Sequence, residues 1–310
     1  MNHRNTLITR SVLAVFAILA TSSQAFFLTT AHAAKHPNIV FVYADDLGWG
    51  DVQPNNPTSK IPTPAFNRLA KEGMNFTDGH SGSAVCTPSR YTFLTGRYCW
   101  RSSKKSGVLN GYSSPLIEKE RPTIASFLRD HGYTTGIVGK WHLGLVFAKS
   151  GSGEKENDYT QPLTDTPADH GFDYSYVIPA SLDFPPYVYI DGHRVTNPEC
   201  VQQSKQSFPA YLRKGPRSKD LVMEDCLDHL TDRACDFLTK SSKDKQTPFF
   251  LYFPLTAPHK PVLPHKRFRG KSGVGPHGDF ILQVDATLGR VLDTLDKLQL
   301  TDDTLFIFSS

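Results

Sequence analysis

Asn38-Ile39-Val40-Phe41-Val42-Tyr43 is an unbroken apolar run, and Ala44-Asp45-Asp46-Leu47-Gly48 follows it directly. A half-exposed strand alternates apolar with polar residues, whereas a continuous run suits a strand buried on both faces. Such strands belong to parallel sheets covered by helices, so the run points to an α/β fold. Two adjacent carboxylates at its downstream end then fall where open α/β sheets bind their ligands, in the crevice beyond the carboxyl ends of strands.

Working outward, Pro64 to Glu72 reads as a helix, with Pro64 in its first turn, Phe66, Leu69 and Ala70 on one side, and Gly73 as its stop. Thr123 to Asp130 repeats the logic with Ile124, Phe127 and Leu128 as the apolar face. Strands are expected around Thr135 to Val138, Phe249 to Phe253 and Thr304 to Phe308, and helices from about Asp220 to Lys240 and from Phe280 to Leu298. In the last of these, Ile281, Val284, Leu288, Val291, Leu295 and Leu298 step by three and four, the mark of a buried stripe. The alternation predicts a large mixed, mostly parallel sheet with helices on both faces. Between Leu145 and Arg217 no helical period survives, and loops this long are usually functional or disordered. Gly151 to Asp158 is polar, and Asp183 to Asp191 carries Phe184, Tyr187 and Tyr189 among prolines. That aromatic part is assigned to the rim of a substrate pocket, with a plain surface excursion as the alternative.

Residues 1–33 read as an export signal: Arg4 and Arg10 are the only charges, Val12 to Ala20 is apolar, and Ala31-His32-Ala33 offers a small-x-small cleavage site. An uncleaved anchor is the alternative, although the run is short for a bilayer. The protein is therefore expected outside the cytoplasm, periplasmic or secreted, with no stable membrane span after cleavage near Ala33. Without those two arginines, 32 basic residues face 30 acidic ones, a net charge of +2 that argues against a nucleic-acid partner. The remaining 277 residues suit one large domain or two small ones, and 34–310 is read as one catalytic domain. Five cysteines are too few for a disulfide scaffold. Setting Cys86 aside, Cys99, Cys200, Cys226 and Cys235 allow three complete pairings. Cys226 and Cys235, two and a half turns apart on one helix, should not bridge each other.

The chemistry concentrates in Cys86-Thr87-Pro88-Ser89-Arg90-Tyr91-Thr92-Phe93-Leu94-Thr95-Gly96-Arg97. Pro88 suits a first helical turn and Gly96 a stop, which puts Cys86 at the positive end of a short helix with Arg90 one turn along the same face. Free backbone N–H groups and the dipole make that end an anion site. A lone cysteine is as often a small buried hydrophobe as a catalyst. Polar residues recur, however, at the ends of apolar strands: Asp45 and Asp46 after the first, Lys140 and His142 after the one near Val138, and His259 after the one near Phe253. Converging carboxylates favour a cation, and oxygen ligands select a hard one, Ca²⁺ or Mg²⁺. A thiolate is a poor partner for such an ion, so residue 86 would meet it as an oxygen species.

These residues resemble the sulfatase family of the alkaline-phosphatase superfamily. The twelve-residue string keeps Cys-x-Pro-Ser-Arg and Leu-Thr-Gly-Arg at the family's spacing, and the likeness runs from Asn38 to Ser310. Ala44-Asp45-Asp46-Leu47-Gly48 is similar to the family's first metal-binding motif, Gly139-Lys140-Trp141-His142-Leu143-Gly144 to the segment bearing the sulfate-binding lysine and the histidine that eliminates sulfate, and Ala257-Pro258-His259-Lys260-Pro261 to the block whose histidine contacts the ester. Taken singly, each has a bland structural role; together at motif positions they are not an accident.

The resemblance implies that a formylglycine-generating enzyme converts Cys86 to formylglycine, and that Ca²⁺, rather than Mg²⁺, is held by Asp45, Asp46 and the residue-86 oxygen. It further implies that Cys86, Arg90, Lys140, His142 and His259 are catalytic, with Lys140 and His259 binding substrate. The reaction would be hydrolysis of a sulfate ester, aryl or carbohydrate, through a covalent sulfated intermediate. A phosphonate or phosphate ester hydrolase of the same superfamily and an inactive sulfated-glycan-binding relative are the alternatives. A cysteine phosphatase would want five residues between Cys and Arg, and three separate Cys86 from Arg90. In the family the strand ending here leads into an Asp-Asn pair, a lysine and a smaller domain. The 310 residues are accordingly expected to be an incomplete catalytic portion, poorly soluble, weak for Ca²⁺ and close to inactive.

Overall fold

The computed structural model describes residues 36–151 and 157–310; the export signal expected at 1–33 lies outside the described residues. Nine strands are described: β1 (Asn38–Asp45), β2 (Thr134–Lys140), β3 (Tyr174–Ile178), β4 (Ile190–Asp191), β5 (Arg194–Val195), β6 (Cys200–Gln203), β7 (Gly215–Ser218), β8 (Phe249–Pro258) and β9 (Thr304–Ser309). Seven of them form one sheet in the order β5-β4-β3-β2-β8-β1-β9, and β6 and β7 pair separately. From β3 to β9 the neighbours are parallel, while β4 and β5 append antiparallel at the far edge. The expected mixed, mostly parallel sheet is what forms.

Among the described residues five α-helices flank it: α1 (Pro64–Glu72), α2 (Cys86–Thr95), α3 (Ile124–Asp130), α4 (Cys226–Ser241) and α5 (Pro276–Lys297). The period-two geometry of a strand divides its side chains between two cores. Val40, Val42, Phe249, Leu251 and Phe253 pack with Phe66 of α1 and the buried stripes of α4 and α5. Tyr43, Phe250 and Tyr252 face the other way, toward Tyr91 and Leu94 of α2 and Ala125 of α3. Both faces of β1 and β8 are thereby covered, which is why their sequences show no polar alternation.

Several boundaries and faces differ from expectation for identifiable reasons. Helix α4 begins at Cys226, because Met223–Asp225 tightens into a 3₁₀ turn. On α3, Thr123 caps the helix by accepting from the Ser126 N–H, and Ala125 is the buried residue. Phe127 is exposed and lies against His131 instead of entering the core. The aperiodic stretch holds β3, a sheet strand whose five residues are too few to declare a period. Tyr187 and Tyr189, expected at a pocket rim, are core residues: Tyr187 pairs its backbone with Pro216 and Ser218 of β7, and the Tyr189 ring packs on Tyr176 of β3 and His229 of α4. All five cysteines are free thiols, so none of the three pairings forms among the described residues. Cys226 and Cys235 indeed stay apart, Cys226 beneath Tyr189 and Cys235 beside Thr294 of α5.

Candidate active site

The carboxyl ends of β1, β2 and β8 lie side by side, and each delivers a charged or polar group. Asp45 ends β1, buried. Lys140 ends β2 with none of its surface exposed, and its ammonium donates to Asp45 Oδ2 and to Ser181 Oγ at 2.8 Å. Gly139 makes this approach possible: its φ is +135°, and a Cβ there would fall 1.9 Å from the Pro254 carbonyl oxygen of β8. His259, just past β8, takes part through Nδ1, 3.1 Å from Ser181 Oγ, while its Nε2 lies 3.7 Å from Asp46 Oδ2.

Helix α2 supplies the other half. Cys86 is its first residue, behind Val85, and Gly96 ends it in the left-handed conformation, as the sequence indicated. Arg90, one turn on, is buried and ties three strand ends together. Its guanidinium donates to the Lys140 carbonyl at 2.8 Å and the Leu255 carbonyl at 3.4 Å, and lies 3.6 Å from Asp45 Oδ1. Asp45, Asp46, Cys86 and Arg90 line one cavity of about 210 Å³, together with Ser83 and Ser310.

The electrostatics follow from this packing. Burial alone would push the Asp45 carboxyl up, but the Lys140 ammonium, then Arg90 and His259, hold it down at about 2. It is a full carboxylate at any working pH. His142 lies beyond Lys140 with φ +59°, a backbone conformation sparsely allowed outside glycine. Its Nε2 faces the Leu109 carbonyl at 2.8 Å, so that nitrogen carries the proton and donates. Nδ1 is then a buried lone pair with no partner among the described residues. Burial, reinforced by the Lys140 cation, keeps the imidazole well below its ordinary pKa and hence neutral.

Of the catalytic and metal candidates, Asp45, Asp46, Cys86 and Arg90 line the cavity, while Lys140 and His259 adjoin it through Asp45 and Asp46, and His142 through Thr87. Sequence reading missed Ser181, which bridges Lys140 and His259, and Thr87, whose hydroxyl donates to the His142 carbonyl at 3.0 Å and accepts from the Leu109 N–H at 3.2 Å. Ser181 lies in the aperiodic stretch and had no local signal; Thr87 stood beside the cysteine, but its partners are distant in sequence. For a hard cation the oxygens of Asp45 and Asp46 in one cavity fit on charge and donor type. They fill few of six to eight positions, and among the described residues no three His, Cys, Asp or Glu side chains cluster at coordinating distance.

A buried lysine–carboxylate pair, a helix N-terminus bearing a cysteine and a neutral histidine thus meet at the strand ends of a doubly covered α/β sheet. The chain belongs to the sulfatase family, whose model matches residues 37–310. It is 38% identical to an N-acetylgalactosamine-6-O-sulfatase of Bacteroides thetaiotaomicron, over 95% of this chain and 62% of that protein. It is 33% identical to Homo sapiens arylsulfatase A, over 89% of this chain and 52% of that protein. A solved sulfatase structure from work on glycosaminoglycan metabolism by Bacteroides thetaiotaomicron superposes with a TM-score of 0.76 at 35% identity, covering 88% of this chain and 62% of that one. The chain thus spans between half and two thirds of these relatives. No described helix is long and apolar enough to cross a membrane.

Proposed function

We propose that the protein hydrolyses sulfate esters, with a saccharide as the alcohol, using formylglycine made from Cys86 by a formylglycine-generating enzyme. One observation carries this reading: Cys86 opens α2 into the same cavity as Asp45, Asp46 and Arg90, beside the Lys140–Asp45 pair. Sulfatases similar to this chain support it, one of them named for an N-acetylgalactosamine 6-O-sulfate.

In this reading one hydroxyl of the hydrated residue-86 aldehyde, oriented by the helix end and by Arg90, forms the bond to sulfur as the bond from sulfur to the alcohol oxygen breaks, and its proton passes to that departing oxygen. Lys140 and His259 neutralise charge gathering on the non-bridging oxygens. The alcohol leaves, and residue 86 holds the sulfate. His142 then accepts a proton from the second residue-86 hydroxyl at its free Nδ1, and sulfate departs as the aldehyde re-forms. Asp45, Asp46 and the residue-86 oxygen would hold the divalent cation, Ca²⁺ before Mg²⁺, which when bound adds positive charge against the sulfuryl group. Export after cleavage near Ala33 belongs to the same proposal. Mass spectrometry of the tryptic peptide containing Cys86, from cells carrying the modifying enzyme, tests it: an aldehyde is expected, and an unmodified thiol sinks the mechanism. Parallel turnover of aryl sulfate and aryl phosphate then fixes the ester, sulfate being preferred.

A further inference from the structure

The segment that supplies Ser181 continues outward to a second charged cluster that the chemistry above does not use. Asp183 is buried with 1% of its side chain exposed, and its Oδ2 accepts from Arg213 and lies 3.9 Å from Lys260 Nζ. Both cations are about half exposed, 48% for Arg213 and 46% for Lys260. One carboxylate against two cations leaves one positive charge facing solvent. Aromatic rings fix both side chains: the Arg213 guanidinium stacks 3.9 Å from the Phe184 ring centre, and Lys260 Nζ lies 5.8 Å from that of Tyr211.

This cluster adjoins the reaction site. Lys260 is the residue after His259, whose ring contacts the Lys260 carbonyl at 2.6 Å, and Phe184 lies 5.9 Å, centre to centre, from the imidazole of His142. A charged pair clamped on aromatic rings beside a site for one sulfate ester gives the saccharide's next substituent a defined partner. We infer that Arg213 and Lys260, held by Asp183, form a subsite for a second anion on the substrate, a uronate carboxylate or a second sulfate, so that the protein prefers acidic saccharides to neutral monosulfated ones. This rests on the sulfate-ester reading and names the substrate class for it.

The test compares kcat/KM for a neutral monosulfated disaccharide, the same ester next to a uronate, and the disulfated form, in wild type, Arg213→Gln and Lys260→Gln. Each lost charged contact should lower the acidic-to-neutral ratio about tenfold, chiefly through KM. Arg213→Gln strips buried Asp183 of its nearest cation and can unfold the loop, so Lys260→Gln is the independent arm. Loss for one acidic substrate alone identifies which anion is read. An unchanged ratio in Lys260→Gln, or an equal loss on neutral and acidic esters, overturns the subsite. Calorimetric binding of the unsulfated uronate disaccharide and of a disulfated one scores the subsite separately. Binding weakened by Lys260→Gln, with no ester turned over by wild type, supports the subsite while overturning the hydrolase reading.

Discussion

Thr87, the residue after Cys86, donates its hydroxyl to the backbone carbonyl of His142. The same hydroxyl accepts the Leu109 N–H, and the Leu109 carbonyl accepts from the His142 ring, so three residues close a loop of hydrogen bonds. The start of α2 and the proposed base are thereby locked together, and the strained backbone of His142 is held.

Thr87→Val keeps the shape and removes this brace. The buried His142 carbonyl and the part-buried Leu109 N–H lose their partner, which should destabilise the fold by about 1–3 kcal/mol. If the brace positions the base, kcat falls about tenfold with KM little changed, and Thr87→Ser restores both. Steady-state kinetics with thermal melts reads this out, and a loss of stability with kcat untouched limits Thr87 to a structural part.

His142 also fixes a pH dependence. Burial, then Lys140, hold its pKa well below the ordinary histidine value, so the base stays neutral through that range. The acidic limb of kcat should therefore lie below about pH 6.5. Stability has the same sign: the unfolded chain takes up this proton near pH 6.5 and the folded one does not, so stability is complete above that and falls as pH drops toward the folded value. A kcat limb at or above pH 6.5 would remove His142 from the role.

His142→Ala should impair release of sulfate more than its capture. One turnover then leaves a sulfated residue 86, visible as an intact-mass adduct that wild type does not accumulate. Equal loss of both steps without an adduct returns the histidine to packing.

Asp285 of α5 offers a check on the fold away from the site. Its carboxylate accepts the N–H groups of Phe66 at 3.0 Å and Ala65 at 3.3 Å, capping α1 from another helix. Asp285→Ala should cost about 1–2 kcal/mol, seen as a lowered melting temperature. Burial raises this carboxyl to about 6 against the pull of those two N–H groups. Its folded pKa exceeds the unfolded one, so the protonated form contributes stability below about pH 4 that is lost as pH rises through about 6. Asp285→Asn should flatten that slope, and an unchanged slope would show that another group carries it.

By itself the sequence determined that β1 and β8 are buried on both faces, that α1 starts at Pro64, that α2 opens on Cys86 and stops at Gly96, and that the polar residues stand at strand ends. Each is legible because a continuous apolar run, a first-turn proline or a glycine with positive φ acts within a few residues of itself. Only the tertiary structure decided that Tyr187 and Tyr189 are core while Phe184 stands beside His142, and that Ser181 joins Lys140 to His259. It also decided that Thr87 reaches His142 and that Asp285 caps α1. These contacts join residues 41 to 220 apart, and nothing local distinguishes a buried tyrosine from one at a rim. Which face a ring meets, and which carbonyl a hydroxyl finds, is set by the order in which parallel strands are laid side by side. That order is a property of the packed sheet, not of any one segment.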